Sequence, residues 1–230
     1  MYCLTLRNSP RVPHVERELC RVGLHAVELL QHDRDHVDGR RGCWAAHLSA
    51  LRRGLDAGHE AIAVFEDDCC FWQRGSVGVA GLVEEALSLA RRHPHAIVGL
   101  GGLAVGAIGA TVGKSTRFRR GQYACTHAYV MGAAAARQVI KWEYAGAHID
   151  HELMRLCGSN MVLAVPTVAF QQAYLLDATT TDTASWVYYA RTMARNLLGP
   201  VALQVMLEYY WRFVGWLMLV GELMHHSWVG

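Results

Sequence analysis

Residues 61–72, AIAVFEDDCCFW, place an apolar run directly before three carboxylates, Glu66, Asp67 and Asp68. The run 62–65 predicts a short buried strand in a sheet that is covered on both faces. Open α/β sheets bind their ligands at the carboxyl ends of such strands. Crowded carboxylates repel one another unless a cation lies between them, and Mg²⁺ or Mn²⁺ binds carboxylate and phosphate oxygens together. The stretch therefore indicates either a metal–diphosphate site or a solvated acidic turn.

The segments around this strand predict an α/β domain. Further strands are expected at 1–6, 24–30, 96–100, 123–131 and 161–165, and helices at 10–21, 42–57, 76–92, 132–142 and from 147 onward. The order begins β-α-β, which is typical of a parallel sheet with a right-handed crossover connection. The glycine-rich and then basic stretch 101–120 predicts a loop, either one that closes over a substrate or an ordinary surface loop.

Composition restricts the class of protein. The 230 residues are 52% hydrophobic and 18% charged and carry a net charge of +2, so we expect a large core and no attraction to nucleic acid. The seven cysteines contain no C-x-x-C pair, which argues against a structural zinc site and favours small core residues in a reducing compartment. The chain begins in a strand-like segment without a signal peptide, so we expect a cytoplasmic protein.

Three other polar features, a D-x-D triplet, a histidine and an aspartate, each have a structural interpretation as well as a functional one. Asp33-Arg34-Asp35 has the D-x-D spacing of a metal motif, but it lies in a run of mixed charge, so we prefer Glu66 to Asp68 as the cation site. His47 lies on or beside the apolar face of its helix, where a histidine with core partners is the common case. Asp150 lies near the start of a helix, where a carboxylate commonly acts as the N-cap.

Several motifs follow one another in a fixed order along residues 1–180. They are Leu6-Arg7 with Arg11, Gly42-Cys43 with His47, Glu66-Asp67-Asp68, Thr126 to Val130 with the helix Ala133 to Ala136, Asp150, and Pro166 with Gln171. Together they resemble glycosyltransferase family 25, which includes lipopolysaccharide and collagen galactosyltransferases. Ala46 stands where the family pattern has a serine.

The resemblance implies a GT-A fold, which is a Rossmann-like α/β sandwich with a mostly parallel central sheet. It also implies inverting transfer of a hexose, such as galactose or glucose, from a UDP-sugar donor to a glycan, lipid-linked or protein acceptor. Mn²⁺ or Mg²⁺ is expected on Asp68 and Glu66, and Asp150 is expected to deprotonate the acceptor hydroxyl. The residues expected to bind the donor are Thr5, Leu6, Arg7, Arg11, His47, Asp67 and Gln171.

Residues 181–230 are expected to form a helical extension of the domain. The segment 201–224 has a helical pattern that is apolar apart from one narrow stripe, and its uninterrupted apolar run is shorter than the ~20 residues that span a bilayer. We therefore expect a helix that packs on the domain, in a homo-oligomer, or peripherally on a membrane surface.

Two other classes of function fit the same residues. A metal-dependent phosphoesterase or nucleotidyl enzyme would use the carboxylates to activate water, and would need further histidine or aspartate ligands at the site. A non-catalytic descendant would bind a glycan or a protein partner. Release of UDP as opposed to phosphate separates the first alternative from a glycosyltransferase, and a joint response to UDP and Mn²⁺ separates the second.

Overall fold

The computed structural model describes residues 1–72, 78–105, 108–113, 116–165 and 167–171. Its strands are β1 (Tyr2–Leu6), β2 (Glu28–His32), β3 (Ala61–Glu66), β4 (Cys69–Phe71), β5 (Ile97–Gly99), β6 (Leu103–Val105), β7 (Phe118–Arg120), β8 (Gln122–Ala124), β9 (Ala128–Gly132), β10 (Met161–Ala164) and β11 (Ala169–Gln171). Its helices are α1 (Val12–Arg21), α2 (Gly39–Asp56), α3 (Val79–Arg92), α4 (Ala133–Val139) and α5 (Ile149–Cys157), and a 3₁₀ turn follows at Gly158–Asn160.

Seven strands form the central sheet, in the order β2-β1-β3-β9-β5-β10-β7. β1 pairs in parallel with β2 and β3, and β5 pairs in parallel with β10. β9 runs antiparallel to both β3 and β5, and β7 is antiparallel to β10 at the edge of the sheet. Within this sheet, all the strands except β7 and β9 therefore share one direction, which confirms the prediction of an α/β fold with a largely parallel central sheet.

Apolar side chains hold helices on both faces of the sheet. In β3, Ala63 and Phe65 pack into a cluster with α1 and α3, whereas Ile62 and Val64 pack into a cluster with α2, α4 and α5. All four side chains are almost completely buried. The alternation follows from the strand geometry, which points successive side chains to opposite faces. Burial of a large apolar side chain contributes about 1.5–3 kcal/mol, so this short strand anchors both layers.

The strand directions bring several segments to one edge of the sheet, which we call the carboxyl edge. β1 and β3 are parallel neighbours, so their last residues, Leu6 and Glu66, lie at this edge. β9 runs in the opposite direction, so the residues just before it, 125–127, lie there too. β4 follows β3 after a short turn and pairs with β11, which places Gln171 opposite Cys69.

Several elements differ from the sequence prediction, mostly because distant strands pair with them. The predicted strand 123–131 is two strands, β8 and β9, because Cys125 between them adopts a left-handed conformation with φ of 74°. The predicted loop 101–120 contains β6 and β7, which pair with β8 and β10. β4 is absent from the prediction. β2 begins later than expected, at Glu28, and α2 begins earlier, at Gly39.

The C-terminal part of the prediction remains open. Within the residues that the structure describes, no helix is both long and apolar enough to cross a membrane. The predicted extension 181–230 and its apolar helix 201–224 lie outside those residues. The domain boundary near residue 180 and the expected oligomer or membrane contact therefore stay predictions.

Candidate functional site

Asp67 connects the end of β3 to the segment that follows β1. Its Oδ2 accepts hydrogen bonds from Thr5 Oγ1 at 2.9 Å and from Ser9 Oγ at 3.0 Å, and its Oδ1 accepts one from Arg11 Nη1 at 3.3 Å. Hydrogen bonds to a charged group contribute about 1.5–3 kcal/mol each, so these donors hold the buried carboxylate in place. The structure thus brings together three of the residues expected to bind the donor: Thr5, Arg11 and Asp67.

Ser9 is a site residue that the sequence did not indicate. The sequence favours Ser9 as the N-cap of the first helix, but the N-cap position of α1 is Arg11. Ser9 Oγ instead donates to Asp67 and accepts the backbone N–H of Arg11 at 3.2 Å. Its role depends on a partner 58 residues away in the chain, and local sequence patterns carry no signal for such a contact.

Asp68 lies in the turn between β3 and β4 and is 7% exposed. Its Oδ2 accepts a hydrogen bond from Gln171 Nε2 at 2.8 Å and lies 3.9 Å from Arg11 Nη1. Its Oδ1 is buried and has no hydrogen-bond partner among the described residues. Burial and the charge of Glu66 raise the pKa of Asp68 to about 7, although Gln171 and Arg11 act in the opposite direction. A buried carboxylate oxygen in this situation fits a cation ligand.

Glu66 is the last residue of β3, and its side chain is 23% exposed. Its Oε1 accepts a hydrogen bond from Thr126 Oγ1 at 3.1 Å and lies 3.3 Å from His47 Nε2, without the alignment of a hydrogen bond. Burial alone would raise the pKa of Glu66. The net effect is nevertheless a lowered pKa, because the imidazoles of His47 and His127 and the hydroxyl of Thr126 stabilise the charged carboxylate by more than burial disfavours it. Glu66 is therefore ionised at neutral pH beside Asp68.

His47 is completely buried on α2. Its Nδ1 lies 3.1 Å from Tyr129 Oη, and the two rings stack with their centroids 5.7 Å apart. Its Nε2 faces Glu66. These contacts are made inside the protein, in keeping with a core histidine, and the expected contact of His47 with the nucleotide or donor sugar stays a prediction.

Cys43 lies one helical turn before His47 on α2. The Sγ of Cys43, an imidazole nitrogen of His47 and a carboxylate oxygen of Glu66 all lie within 4.8 Å of one another. We call these residues the Cys–His–Glu trio. Burial and the carboxylates of Glu66, Asp150 and Asp68 raise the pKa of the Cys43 thiol well above its usual value. Sequence reasoning missed the trio, although the four-residue spacing of Cys43 and His47 indicates a shared helix face.

Asp150 is the second residue of α5. Its Oδ2 accepts the backbone N–H of Cys125 at 2.9 Å, and its Oδ1 accepts the backbone N–H of the next residue at the same distance. The N-cap of α5 is His148, so the interpretation of Asp150 as the N-cap is wrong. Thr126, which follows Cys125, donates to Glu66. One short segment therefore connects Asp150 to the carboxylates that follow β3.

Arg7 and the D-x-D motif make contacts of their own. Arg7 Nε donates to Asp33 Oδ1 at 2.8 Å in an exposed ion pair. Arg41 Nε donates to Asp35 Oδ2 at 2.6 Å, and this bond together with two backbone N–H groups holds the pKa of Asp35 well below its usual range. Leu6 contributes a carbonyl oxygen that accepts the hydroxyl of the preceding residue at 3.3 Å. The described contacts of Arg7, Leu6 and the D-x-D motif do not include the carboxylates that follow β3.

The residues at the carboxyl edge fit a hard divalent cation. Asp68 supplies a carboxylate oxygen without a protein donor, and Glu66 supplies a second, ionised carboxylate. Mg²⁺ and Mn²⁺ bind such oxygens together with phosphate oxygens. Both oxygens of Asp67 already accept hydrogen bonds, so Asp67 positions its neighbours. The guanidinium of Arg11, beside both aspartates, adds a positive group suited to a phosphate.

Comparisons with known proteins leave the family open. No protein-family model matches the sequence, and no curated protein matches it. Among the solved structures that match is that of A197 from STIV, which aligns with 79% of this chain and 98% of its own at 10% identity and a TM-score of 0.43. At this identity and score, the likeness carries no argument about the chemistry of the chain. Membership of glycosyltransferase family 25 therefore stays an expectation from the sequence.

Proposed function

We propose that this protein is a metal-dependent glycosyltransferase with a GT-A fold. It transfers a hexose from a UDP-sugar to a hydroxyl group of a glycan, lipid-linked or protein acceptor, with inversion at the sugar carbon. The proposal rests on one observation above all. A buried aspartate, Asp68, lies at the carboxyl edge of a largely parallel sheet with one oxygen that no described donor satisfies. This edge is where open α/β sheets bind nucleotides.

Asp68 and Glu66 would hold Mn²⁺ or Mg²⁺, which supplies positive charge to the diphosphate leaving group. Asp67 keeps Arg11 and Thr5 at the end of β1 through the hydrogen bonds described above, and this arrangement supports binding of the nucleotide there. Gln171 donates a hydrogen bond to Oδ2 of Asp68, which leaves Oδ1 of Asp68 for the cation.

Asp150 is the proposed general base. The acceptor hydroxyl must lose a proton as it attacks the sugar, and a carboxylate within hydrogen-bond distance can accept that proton. Two observations support Asp150 in this role. Its side chain is only partly buried, and Cys125, whose backbone N–H it accepts, directly precedes Thr126, which donates to Glu66.

The test is a panel of nucleotide sugars assayed for release of UDP, with and without Mn²⁺. We expect metal-dependent release in the wild type and a loss of about 10²–10³-fold in Asp68→Asn, since the variant lacks the charge that holds the cation. Asp35→Asn is the matched control, because it removes a carboxylate of the alternative D-x-D motif, and we expect it to retain wild-type turnover. Turnover that survives in Asp68→Asn, or that is lost equally in Asp35→Asn, would contradict the assignment.

One observation favours a second candidate function. The Cys–His–Glu trio provides the additional ligand types that a metal-dependent phosphoesterase needs beside the carboxylates. The same assay distinguishes the two functions. A phosphoesterase would release inorganic phosphate from UDP or from a simple phosphate ester, whereas a glycosyltransferase would release intact UDP and a transferred or free sugar.

A further inference from the structure

We propose that Cys43, His47 and Glu66 form a binding site for a transition-metal ion of the zinc type, which adjoins the hard-cation site at Asp68 and shares the carboxylate of Glu66 with it. The three side chains offer a sulfur, a nitrogen and an oxygen within 4.8 Å of one another. Three protein ligands with a fourth position left for water or substrate are the usual arrangement of zinc sites that take part in chemistry. The inference does not depend on the proposed transferase function, because its test measures metal binding alone.

The distances support this assignment. His47 Nε2 and Glu66 Oε1 are 3.3 Å apart but are not aligned as a hydrogen bond. Two ligands that each lie about 2.0–2.1 Å from a tetrahedral zinc ion are about 3.3–3.4 Å apart. The separation of this pair of atoms therefore matches one edge of a zinc tetrahedron. The thiol sulfur of Cys43, on the same face of α2, lies within 4.8 Å of the ligand atoms of the other two residues. The corresponding separation at a tetrahedral zinc ion is about 3.6 Å, so the sulfur needs to move by about 1.2 Å at most to reach the third corner.

The second contact of His47 fixes the ring for metal binding. Its Nδ1 lies 3.1 Å from the hydroxyl oxygen of the buried Tyr129. This contact leaves Nε2 as the ring nitrogen that faces Glu66, and Nε2 is buried without a hydrogen-bond partner among the described residues. A buried polar atom of this kind is costly unless it has a partner, and a metal ion would supply one. Metal-binding histidines commonly hold their second ring nitrogen in this way.

The chemistry of the ligands selects the metal. The carboxylates of Glu66, Asp150 and Asp68 surround the Cys43 thiol with negative charge, which attracts a cation to this position. Thiolate and imidazole ligands favour Zn²⁺ and Co²⁺, whereas Mg²⁺ and Mn²⁺ prefer oxygen ligands only. The trio and Asp68 therefore differ in the type of metal that each binds best.

The test uses Co²⁺ as a spectroscopic substitute for Zn²⁺ on the full chain after treatment with a chelator. We expect a thiolate-to-cobalt charge-transfer band in the near ultraviolet that Zn²⁺ abolishes by displacing Co²⁺. Cys43→Ser should remove this band, and His47→Gln should weaken Co²⁺ binding at least about tenfold. Tyr129→Phe keeps all three ligands, so it should keep the band while Co²⁺ affinity falls about tenfold.

Two controls separate the trio from other sites. Cys70→Ser removes a different half-buried cysteine, one whose Sγ lies 3.5 Å from His14 Nε2, and it should keep the band. Asp68→Asn removes the proposed hard-cation ligand and should also keep it. The proposal is overturned if no band forms, if the band survives in Cys43→Ser, or if it is lost in Cys70→Ser or Asp68→Asn. Melting curves of each variant verify that the comparison is made on folded protein.

Discussion

Asp68 and Asp150 are both acidic residues at the carboxyl edge, but their contacts differ in kind. Asp68 is buried, has one oxygen without a described partner, and has a pKa raised to about 7. Asp150 is only partly buried and accepts backbone N–H groups with both oxygens. The first pattern fits a cation ligand. The second fits a carboxylate that is held in a fixed orientation while part of its surface stays accessible to a substrate.

Replacement of Asp150 by Asn separates a catalytic role from a structural one. The amide oxygen of Asn can still accept the backbone N–H of Cys125, so the connection to the β8–β9 turn survives. The amide cannot accept a proton from the acceptor. We expect kcat to fall by about 10²–10⁴-fold with little change in KM for the donor, as measured by steady-state UDP release.

Glu152→Gln is the matched control for Asp150→Asn. Glu152 lies two residues after Asp150 on α5, and its carboxylate accepts hydrogen bonds from the exposed guanidinium of Arg155. We expect it to alter kcat by less than about twofold, because the amide oxygen of Gln can still accept a hydrogen bond from Arg155. Equal losses in kcat and donor affinity in Asp150→Asn would contradict the role of a base.

The pairing of β4 with β11 is the element that brings Gln171 to Asp68. Gly101 supports this pairing from the neighbouring segment. It bridges to Ala169 in β11, and a Cβ atom at Gly101 would collide with the carbonyl oxygen of Ala169 and with Nε2 of His127. Close backbone approach of this kind requires glycine.

Substitution of Gly101 by Ala should therefore destabilise the fold by about 1–3 kcal/mol, the range for overpacked sites. The midpoint of urea unfolding measures the change. Gly109→Ala is the matched control, because a Cβ atom at Gly109 would make only ordinary contacts with Arg120 at 3.5 Å or more. It should stay within about 0.5 kcal/mol of the wild type. Equal effects of the two substitutions would show that the contact at Ala169 is not tight.

The sequence predicts elements whose signal is local and misses those formed by distant partners. β1 and β3 follow from their apolar runs, and the carboxylates after β3 follow from the sequence itself. β4 is three residues long and exists because β11, about 100 residues later, pairs with it. The interruption between β8 and β9 depends on the positive φ of Cys125, and positive φ is predictable from sequence mainly where the residue is glycine.

The candidate site shows the same division. The sequence indicates Glu66, Asp67, Asp68 and Arg11 through motifs along the chain. It does not indicate that Ser9 donates to Asp67 or that Cys43 meets Glu66, since both contacts form only when separate elements meet at the carboxyl edge.

At the scale of the whole molecule, the crowded carboxylates should make stability depend on pH when metal is absent. Burial and the charge of Glu66 raise the pKa of the Asp68 carboxyl to about 7 in the folded protein, from 3.8 for a free aspartate side chain. The folded state thus binds a proton that the unfolded state has already released, so this contribution to stability is full below about pH 4 and is lost as the pH rises through about 7.

Between pH 5 and pH 8, we expect the free energy of unfolding of the chelator-treated wild type to fall by on the order of 2 kcal/mol more than that of Asp68→Asn. Urea unfolding at the two pH values measures the difference, with Asp35→Asn as a second carboxylate control. Parallel pH profiles for the wild type and Asp68→Asn would contradict the raised pKa.

The central claim is that a divalent cation at Asp68 binds the diphosphate of the donor. Isothermal titration of UDP with and without Mn²⁺ tests it most directly, because a cation that bridges protein and diphosphate must couple the two affinities. We predict that Mn²⁺ lowers the Kd for UDP at least about tenfold in the wild type and has no effect on it in Asp68→Asn. The same Kd with and without Mn²⁺, or coupling that persists in Asp68→Asn, would contradict the account.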